Sequence, residues 1–367
     1  MDFEPIFYKN RLFLHRFITI GKVMTTENEI IQFLHYHSPA SRQEISNAIS
    51  RQASTSTTKR LLSKLTEDGY LETIGQGPAT KYRLAPKALI TTPIDIETYF
   101  TKEIDERIIQ DSFNFDLIEN ILPQVEIFTA EEANHLNALH QEFVKNTDGM
   151  TETEYRKEME RLGIDLSWKS SQIEGNTYSL LETERLLRDS QTATGKTKEE
   201  AIMLLNHKTA LNFILNEPDY LQTLSIRNIE DIHALLVKDL NVDKGIRRRR
   251  VGITGTNYRP LDNEFQIREA LHSACQLING KSSIFEKALL TLVLLSYIQA
   301  FADGNKRTAR ISSNAILIAN GYCPISFRTV DSIDYKKAML LFYEQNNICA
   351  FKDIFIDQYG FAVKNYF

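Results

Sequence analysis

Several features that identify common protein classes are missing from this sequence. Its three cysteines, Cys275, Cys323 and Cys349, are odd in number and widely spaced, so they form no zinc pattern and indicate a reducing compartment. No stretch reaches the roughly 18 apolar residues of a membrane span. The N-terminal stretch MDFEPIFYKNRLFLHRF is interrupted by charges, unlike a signal peptide. We therefore expect a cytoplasmic protein that has no contact with membranes.

The chain also lacks a basic excess and the glycine-rich loops of common nucleotide-binding folds. Its formal net charge is −5 over 367 residues, so any nucleic-acid surface has to be local. Neither GxxxxGK[ST] nor GxGxxG occurs, which excludes ordinary P-loop and Rossmann interpretations. What remains is an ordinary globular composition, in a chain long enough for two or three domains.

Residues 26–90 predict a compact helical unit with a small β wing. Ser41 and Glu44 have the spacing of a capping box at the start of one helix. A second helix is predicted over 54–68, and the alternating residues that follow predict a β-hairpin. This order resembles a winged helix-turn-helix domain, in which residues 54–68 would be the recognition helix. Residues 1–25 are left as an N-terminal extension.

The expected recognition helix carries Lys59, Arg60 and Lys64, which are candidates for contact with DNA. Basic residues outnumber acidic ones across 26–90 by only a small margin, however. Winged helices also serve as protein-interaction and dimerisation modules. DNA contact and a structural or protein-binding role therefore both stay open.

The rest of the chain predicts a mainly α-helical domain. Prolines and mixed polarity make 91–110 the expected linker, and apolar residues then recur at helical spacing over 111–367. The exception is GIRRRRVGITGTNYRPLD at 245–262, where the pattern predicts a short β-hairpin or flap. The expected fold class is thus mainly α, with a small hairpin flap, preceded by the winged-helix unit.

The stretch YIQAFADGNKRTARISSN, residues 297–314, carries the clearest chemistry. A strongly apolar helix runs into the turn ADGN, where Gly304 permits unusual backbone geometry, and a new helix starts near Lys306. The unpaired amides at a helix N-terminus make such a turn a ready anion site. Arg307 and Arg310 share one helix face, so both can bind one polyphosphate.

Two polar residues of the turn complete the expected phosphate site. Asp303 lies at its mouth and is a candidate ligand for Mg²⁺, which is usually bound by few carboxylates together with phosphate oxygens. Asn305 can donate an amide hydrogen to a phosphate oxygen. The sequence therefore predicts a cradle for a polyphosphate and a divalent metal.

These residues resemble the signature of the Fic family, His-x-Phe-x-Asp/Glu-Gly-Asn-x-Arg-x-x-Arg. Every position matches except the first, where Gln299 replaces the histidine, and the wider resemblance covers roughly 110–360. The resemblance implies transfer of AMP from ATP to a Ser, Thr or Tyr hydroxyl of a target protein, or of the protein itself, with Mg²⁺ as cofactor. Kinase activity is a minority variant, and homodimers are implied as well. The ATP-binding residues implied in this chain are Phe301, Gly304, Asn305, Lys306, Arg307, Arg310, Tyr335 and Asn346.

A second motif supports the same resemblance. In SSQIEGN, residues 170–176, Ser170 and Glu174 lie four apart on one helix face, and Gly175 follows. The segment is similar to the inhibitory motif of class II Fic proteins, carried on a helix at about 165–176. The resemblance implies that Glu174 pairs bidentately with Arg310 and blocks the ATP γ-phosphate site.

The flap has a role under the same resemblance. An exposed hairpin edge at Gly252, Ile253, Thr254 and Gly255 would pair with an extended target segment by strand addition. A purely structural hairpin is the alternative.

Gln299 is the departure that bears most on activity. The family histidine is the base that takes the proton of the target hydroxyl, alongside the site residues Asn305 and Arg307, whereas a glutamine orients a hydroxyl without accepting its proton. Three interpretations stay open: an enzyme of weak or altered chemistry, a nucleotide-binding pseudoenzyme that regulates transcription through the winged helix, and an engineered inactive variant. The two expected function classes are therefore a protein adenylyltransferase and a regulator that binds ATP and DNA.

Overall fold

The computed structural model describes residues 26–49 and 54–367, and it divides into two compact units. The first unit ends at Thr92 and the second begins at Pro93. The predicted N-terminal extension, residues 1–25, lies outside the described residues. The boundary between the units falls near the start of the predicted linker.

The first unit consists of helices and a small antiparallel sheet. Its elements are α1 Thr26–Tyr36, β1 Ala40–Ser41, α2 Arg42–Ala48, α3 Thr55–Glu67, β2 Leu71–Ile74, β3 Lys81–Leu84 and α4 Pro86–Thr91. The strands lie in the order β1-β3-β2, with Leu71 opposite Leu84 and Ile74 opposite Lys81. The predicted capping box is present at α2, where Ser41 and Glu44 bond each other's backbone. The elements follow the predicted order, and the assignment to the winged-helix class stays a prediction.

The second unit is mainly helical and has no strand among its described elements, which confirms the predicted mainly-α fold class. Its helices are α5 Ile96–Tyr99, α6 Ala130–Asp148, α7 Glu152–Ile173, α8 Leu180–Asp189, α9 Lys198–Asn216, α10 Ile226–Leu236, α11 Glu264–Gly280, α12 Ile284–Ile298, α13 Asn305–Ala319, α14 Ser332–Gln345 and α15 Cys349–Tyr366. Single turns of tighter or wider helix lie at Ile104–Glu106, Leu117–Ile121, Leu122–Gln124 and Pro218–Leu221.

Helix α12 lies at the centre of the second unit, as its apolar sequence predicts. Every residue from Phe285 to Ile298 except Lys287 is buried, because apolar side chains surround the whole helix rather than one face. Helix α13 packs against it and is buried almost as far. The turn between these two helices is therefore buried at Phe301 and Gly304 and exposed at Ala302 and Asp303.

The structure corrects the prediction of a β-hairpin in the flap. Residues 251–260 form no strand ladder within the loop; one parallel bridge joins Arg259 to Ser112. The backbone groups of the loop bind an earlier segment instead: the Gly255 carbonyl accepts from Arg107, and the Arg259 amide donates to the Asp111 carbonyl. At these two points the backbone of the loop is therefore bonded to the earlier segment and not to the loop itself.

The predicted linker 91–110 is packed against the second unit over most of its length. Tyr99 and Arg107 both bond the buried carboxylate of Glu344 on α14, and the Gln110 amide donates to the Glu344 carbonyl. No described helix is long and apolar enough to cross a membrane.

Candidate active site

The turn between α12 and α13 takes its shape from two residues in the left-handed region. Gln299 ends α12 with φ 52°, and Gly304 precedes α13 with φ 82°. A Cβ on Gly304 would meet Val237 Cγ1 at 3.2 Å and His233 Cδ2 at 3.4 Å. Glycine is needed here because a side chain would be both strained and crowded.

The Asn305 side chain closes this turn. Its Oδ1 accepts from the Phe301 amide at 2.8 Å, and its Nδ2 donates to the Phe301 carbonyl at 2.8 Å. The sequence predicts that Asn305 donates to phosphate; in the structure its side-chain amide bonds the backbone of the turn. The residue shapes the cradle through these two bonds.

The Gln299 side chain is buried and its amide bonds protein groups only. Nε2 donates to the Ser296 carbonyl at 2.6 Å and to the Tyr343 hydroxyl at 3.4 Å. Oε1 accepts from Asn305 Nδ2 at 3.2 Å. Oε1 is the one acceptor atom of this side chain, and its two lone pairs allow it to accept a second hydrogen bond beside that from Asn305.

Arg310 is fully buried and binds the helix that carries the predicted inhibitory motif. Its Nε donates to Ser170 Oγ at 2.7 Å, and its Nη2 donates to the Ser170 carbonyl at 3.0 Å and to Glu174 Oε1 at 2.7 Å. One hydrogen bond joins Arg310 to Glu174, where the sequence predicted a bidentate pair; Ser170 takes the other contacts. Nη1 is buried and has no hydrogen-bond partner among the described residues.

Glu174 lies at the end of α7, between two cations of α13. Gly175, with φ 100°, lets the chain turn away directly afterwards. Lys306 Nζ is 3.8 Å from Glu174 Oε2, on the side away from the Arg310 bond. Burial raises the pKa of Glu174, and the charges of Arg310 and Lys306 outweigh that effect and hold the pKa below its usual value. The carboxylate is therefore ionised at neutral pH and competes with any other anion.

Arg307 and Asp303 form the other polar pair of the turn. Arg307 is buried, and its Nη2 donates to Asp303 Oδ2 at 2.8 Å, whereas the Asp303 side chain is 62% exposed. Arg307 Nη1 also approaches the Leu236 carbonyl at 3.4 Å. The structure thus brings both predicted arginines to the turn, and each already has a carboxylate partner.

Two histidines contact the groups around this turn, His233 at the turn itself and His207 at Ser170. The His233 ring stacks on Phe301, with centroids 3.7 Å apart, and its Nε2 donates to the Asp303 carbonyl at 2.9 Å. His207 Nε2 lies 3.1 Å from Ser170 Oγ. Burial lowers the pKa of His233 to about 4 and that of His207 well below its ordinary value. Both rings are therefore neutral and contribute through packing. The sequence did not indicate this role, because both residues lie far from the motif.

Tyr335 and Asn346, two of the implied ATP-binding residues, are both buried on or next to α14. The Arg310 guanidinium lies over the Tyr335 ring, 5.3 Å from its centroid. Asn346 Oδ1 accepts from Asn114 Nδ2 at 3.0 Å, and Asn346 Nδ2 donates to the Phe342 carbonyl at 3.2 Å. Tyr335 thus packs against Arg310, and Asn346 ends its helix in the left-handed region with φ 52°.

A buried arginine joins the base of the flap to the turn. Arg247 Nε donates to the Gln299 carbonyl at 2.6 Å, and Arg247 Nη1 donates to the Arg249 carbonyl at 2.8 Å. Its Nη2 donates to the Leu261 carbonyl on the far side of the loop. Within the loop, Gly252 and Thr254 are exposed, and Ile253 and Gly255 are half-buried. The predicted target residues therefore lie on a loop whose base is fixed to Gln299.

The predicted DNA-contacting residues belong to the first unit. Lys59 and Arg60 are exposed on α3, whereas Lys64 Nζ lies 2.9 Å from Glu27 Oε1 in a surface ion pair. Lys59 and Arg60 are therefore better candidates than Lys64 for contact with an external partner.

The sequence profile of the Fic/DOC family matches residues 223–317, which contain the turn, Arg307 and Arg310. Among curated proteins, the protein adenylyltransferase fic-1 of Caenorhabditis elegans is 27% identical over 160 residues, which cover 42% of this chain and 31% of that protein. The protein adenylyltransferase Fic of Nematostella vectensis is 28% identical over 172 residues, covering 46% of this chain and 40% of that protein. The chain thus spans about a third of the length of the curated relatives it matches.

Solved structures share the helical fold. A structure of Fic-1 from C. elegans superposes with a TM-score of 0.56 at 20% identity, covering 65% of this chain and 71% of that chain. A Fic domain containing signaling protein from Bacteroides thetaiotaomicron superposes with a TM-score of 0.54 at 19% identity, covering 63% of this chain and 94% of that chain. At these identities the likeness concerns the fold. The matching profile identifies residues 223–317 of this chain as a Fic/DOC family domain.

Proposed function

We propose that this chain is a Fic-type protein adenylyltransferase, which transfers AMP from ATP to a hydroxyl group of a protein, and that Glu174 inhibits it. The observation that carries the proposal is Arg310, a fully buried guanidinium at the phosphate turn whose Nη1 has no partner among the described residues. A buried donor without an acceptor is unfavourable, so an anion is the natural ligand of this place. Relatives named protein adenylyltransferase support the same reaction.

The transfer itself needs alignment more than covalent chemistry from the protein. The oxygen of the target hydroxyl forms a bond to the α-phosphorus, the bond from that phosphorus to its bridging oxygen breaks, and pyrophosphate leaves. The amides at the start of α13 and the guanidinium groups of Arg307 and Arg310 would bind the phosphates. Glu174 occupies the Arg310 Nη2 donor, so ATP would bind with its γ-phosphate displaced.

The residues present fit a bound Mg²⁺ ion in the way that nucleotide sites use it. The described residues contain no cluster of three or more His, Cys, Asp or Glu side chains, so a purely protein-made metal cage is absent there. Asp303 is exposed at the mouth of the turn, and Mg²⁺ commonly takes one or two carboxylates together with phosphate oxygens. Asp303 would hold the ion, which supplies neutralisation of phosphate charge when bound.

Gln299 limits the rate that we expect. A general base contributes about 10²–10⁴-fold to rate, and the Gln299 amide has no basicity near neutral pH. The hydroxyl proton would therefore pass to water or phosphate in this chain. We therefore expect this chain to retain ATP binding and to transfer AMP slowly.

A labelling experiment tests the proposal. The full chain is incubated with Mg²⁺ and ATP labelled in the α-phosphate, in its Gln299 form, as Gln299→His, as Glu174→Gly and as the double variant. Protein-bound label is expected to be strongest in the double variant. ATP labelled in the γ-phosphate is the control and should leave the protein unlabelled, since a kinase would give the opposite pattern. Absence of α-label from the double variant would overturn the proposal.

A second function, DNA binding by the first unit, is favoured by one observation. Lys59 and Arg60 are exposed side by side on α3, in the position that the predicted winged helix would present to DNA. The full chain is titrated into a fluorescent DNA duplex, with Lys59→Glu/Arg60→Glu as the test variant and Lys145→Glu on α6 as the control. Binding that only the first variant weakens would support a regulator, with or without adenylyl transfer.

A further inference from the structure

Arg107 is a buried cation that contacts the tip of the flap. Its Nη2 donates to the Gly255 carbonyl at 2.9 Å, and its Nη1 lies 3.1 Å from Glu344 Oε1. The two side chains are only 4% and 1% exposed. A buried ion pair is costly unless hydrogen bonds satisfy both partners, so a pair at this place requires a fixed geometry.

Further bonds fix the Glu344 carboxylate and the guanidinium. The Tyr99 hydroxyl donates to Glu344 Oε2 at 2.7 Å, and Arg107 lies over the Phe100 ring at 5.2 Å. The Gln110 amide donates to the Glu344 carbonyl at 2.8 Å. Residues 99–112, which we call the clamp segment, are thereby joined to the end of α14.

The clamp segment also binds the far side of the flap. Asn257 Nδ2 donates to Asp105 Oδ1 at 2.8 Å, and the Arg259 amide donates to the Asp111 carbonyl at 2.8 Å. Residues 257–259 of the flap therefore already have a neighbouring strand-like partner. Residues 251–254, which we call the 251–254 edge, lie outside these contacts, and under the proposed function an extended target segment would pair with this stretch.

Helix α14 connects this clamp to the phosphate turn. Tyr343, the residue before Glu344, has its hydroxyl 3.4 Å from Gln299 Nε2, and Tyr335 lies under Arg310. Arg107 thus joins the flap tip to the same helix that contacts both Gln299 and Arg310. The base of the flap has its own connection through Arg247 and the Gln299 carbonyl.

We propose that Arg107 is a positioning residue for the protein substrate: by binding Gly255 and Glu344 together, it holds the 251–254 edge in register with the phosphate turn. The proposal rests on the proposed function, because it concerns docking of the target whose hydroxyl receives AMP. Arg107 would thus have a positioning role although it is far from the Fic motif in sequence. A preorganised edge lowers the ordering cost of strand addition.

Hydrogen exchange of the flap tests the positioning directly, without any enzymatic activity. In the full chain, Arg107→Met is expected to speed exchange of the hydrogen-bonded flap amides of Tyr258 and Arg259 at least tenfold and to leave those of the α13 interior, 309–317, unchanged. Lys337→Met is the matched control, because Lys337 Nζ pairs with Glu97 at 2.8 Å between the same helix and the region just before the clamp segment, without contacting the flap. Unchanged flap exchange in Arg107→Met would overturn the proposal.

A second measurement separates positioning from a general structural role. In the Gln299→His/Glu174→Gly background, Arg107→Met should lower protein-bound α-label about tenfold while the Kd for ATP stays within twofold. Arg107→Lys, which keeps the charge for Glu344, should restore part of the labelling; it also serves if Arg107→Met does not fold. A parallel loss of ATP binding would contradict the proposal. Absence of label from every variant would count against the proposed function alone, because flap exchange still decides the role of Arg107.

Discussion

Arg310 Nη2 lies 2.7 Å from Glu174 Oε1, although the two residues are 136 positions apart in the sequence. The guanidinium is fully buried, and the carboxylate is partly exposed at the end of α7. A partly exposed acid that holds a buried cation can be displaced without unfolding the core. Under the proposed function, this pair would act as a removable block on the phosphate site.

Removing the Glu174 carboxylate should strengthen ATP binding. We expect Glu174→Gly to lower the Kd for ATP about tenfold, about 1.4 kcal/mol, because it frees the Nη2 donor of Arg310. Isothermal titration calorimetry with Mg²⁺ and ATP measures the change. Glu174→Gln is the matched control: it keeps the volume and loses the charge, so its effect should lie between those of Gly and Glu. Equal affinities in all three forms would show that Glu174 does not compete with the nucleotide.

Restoring a base at position 299 should raise the rate of transfer. Gln299→His in the Glu174→Gly background is expected to speed protein labelling about 10²–10⁴-fold, the usual contribution of a general base. Gln299→Asn, which keeps an amide, is the control and should give no increase. The initial rate of label incorporation from α-labelled ATP is the measurement. A histidine variant no faster than the asparagine variant would exclude proton removal at this position as the limiting step.

Gly304→Ala should destabilise the protein more than Gly321→Ala. Both glycines have positive φ, 82° and 73°, so both substitutions carry backbone strain of roughly 1–2 kcal/mol. Only at Gly304 would the new Cβ meet neighbours, with Val237 Cγ1 at 3.2 Å, whereas Gly321 has open space. Urea unfolding of both variants gives the difference in free energy of unfolding. Equal losses would mean that the turn has room to relax.

Asn305→Ala should lower stability as well as nucleotide affinity. The substitution leaves the buried amide and carbonyl of Phe301 without their partners, at an expected cost of about 2–4 kcal/mol in the free energy of unfolding. Asn320→Ala is the control, since Asn320 makes one side-chain bond, to the Ile316 carbonyl, at a less buried site and should cost under about 1 kcal/mol. A fall in ATP affinity with full stability would instead indicate direct phosphate contact by Asn305.

Stability should fall as pH decreases from 7 to 5, in part through His233. Burial lowers the pKa of His233 to about 4 in the folded protein, while the unfolded chain keeps about 6.5, so the unfolded state binds more protons over this interval. The expected loss is about 2 kcal/mol between pH 7 and pH 5. His233→Gln should remove that share of the pH dependence, and His272→Gln, at an exposed site, should not. Parallel pH slopes for the two variants would contradict this account.

The sequence predicted those parts of the site that depend on neighbouring residues. The turn between α12 and α13 and the shared face of Arg307 and Arg310 follow from local spacing, and the structure has both. The capping box at Ser41 and Glu44 is equally local, because its donors and acceptors lie within one helical turn.

Contacts between distant segments could not be predicted in this way. The clamp by Arg107 joins positions 237 residues apart, and stacking of His233 on Phe301 joins two elements that helical periodicity cannot align. The flap was predicted as a hairpin because Val251 and Ile253 alternate, yet its backbone partners come from residues 107–112. The Asn305 role depended on the exact path of the turn, which Gln299 sets by adopting positive φ.

Because all three native cysteines are buried, one cysteine introduced on the flap can be labelled selectively. Burial raises the pKa of the Cys275 and Cys349 thiols to about 12 and that of Cys323 well above its ordinary value, so none should react readily with a maleimide. A cysteine introduced at the exposed Thr254 would therefore be the preferred thiol of the folded chain for a spin label or fluorophore. Distances from that label would report the movement of the flap without prior removal of any native cysteine.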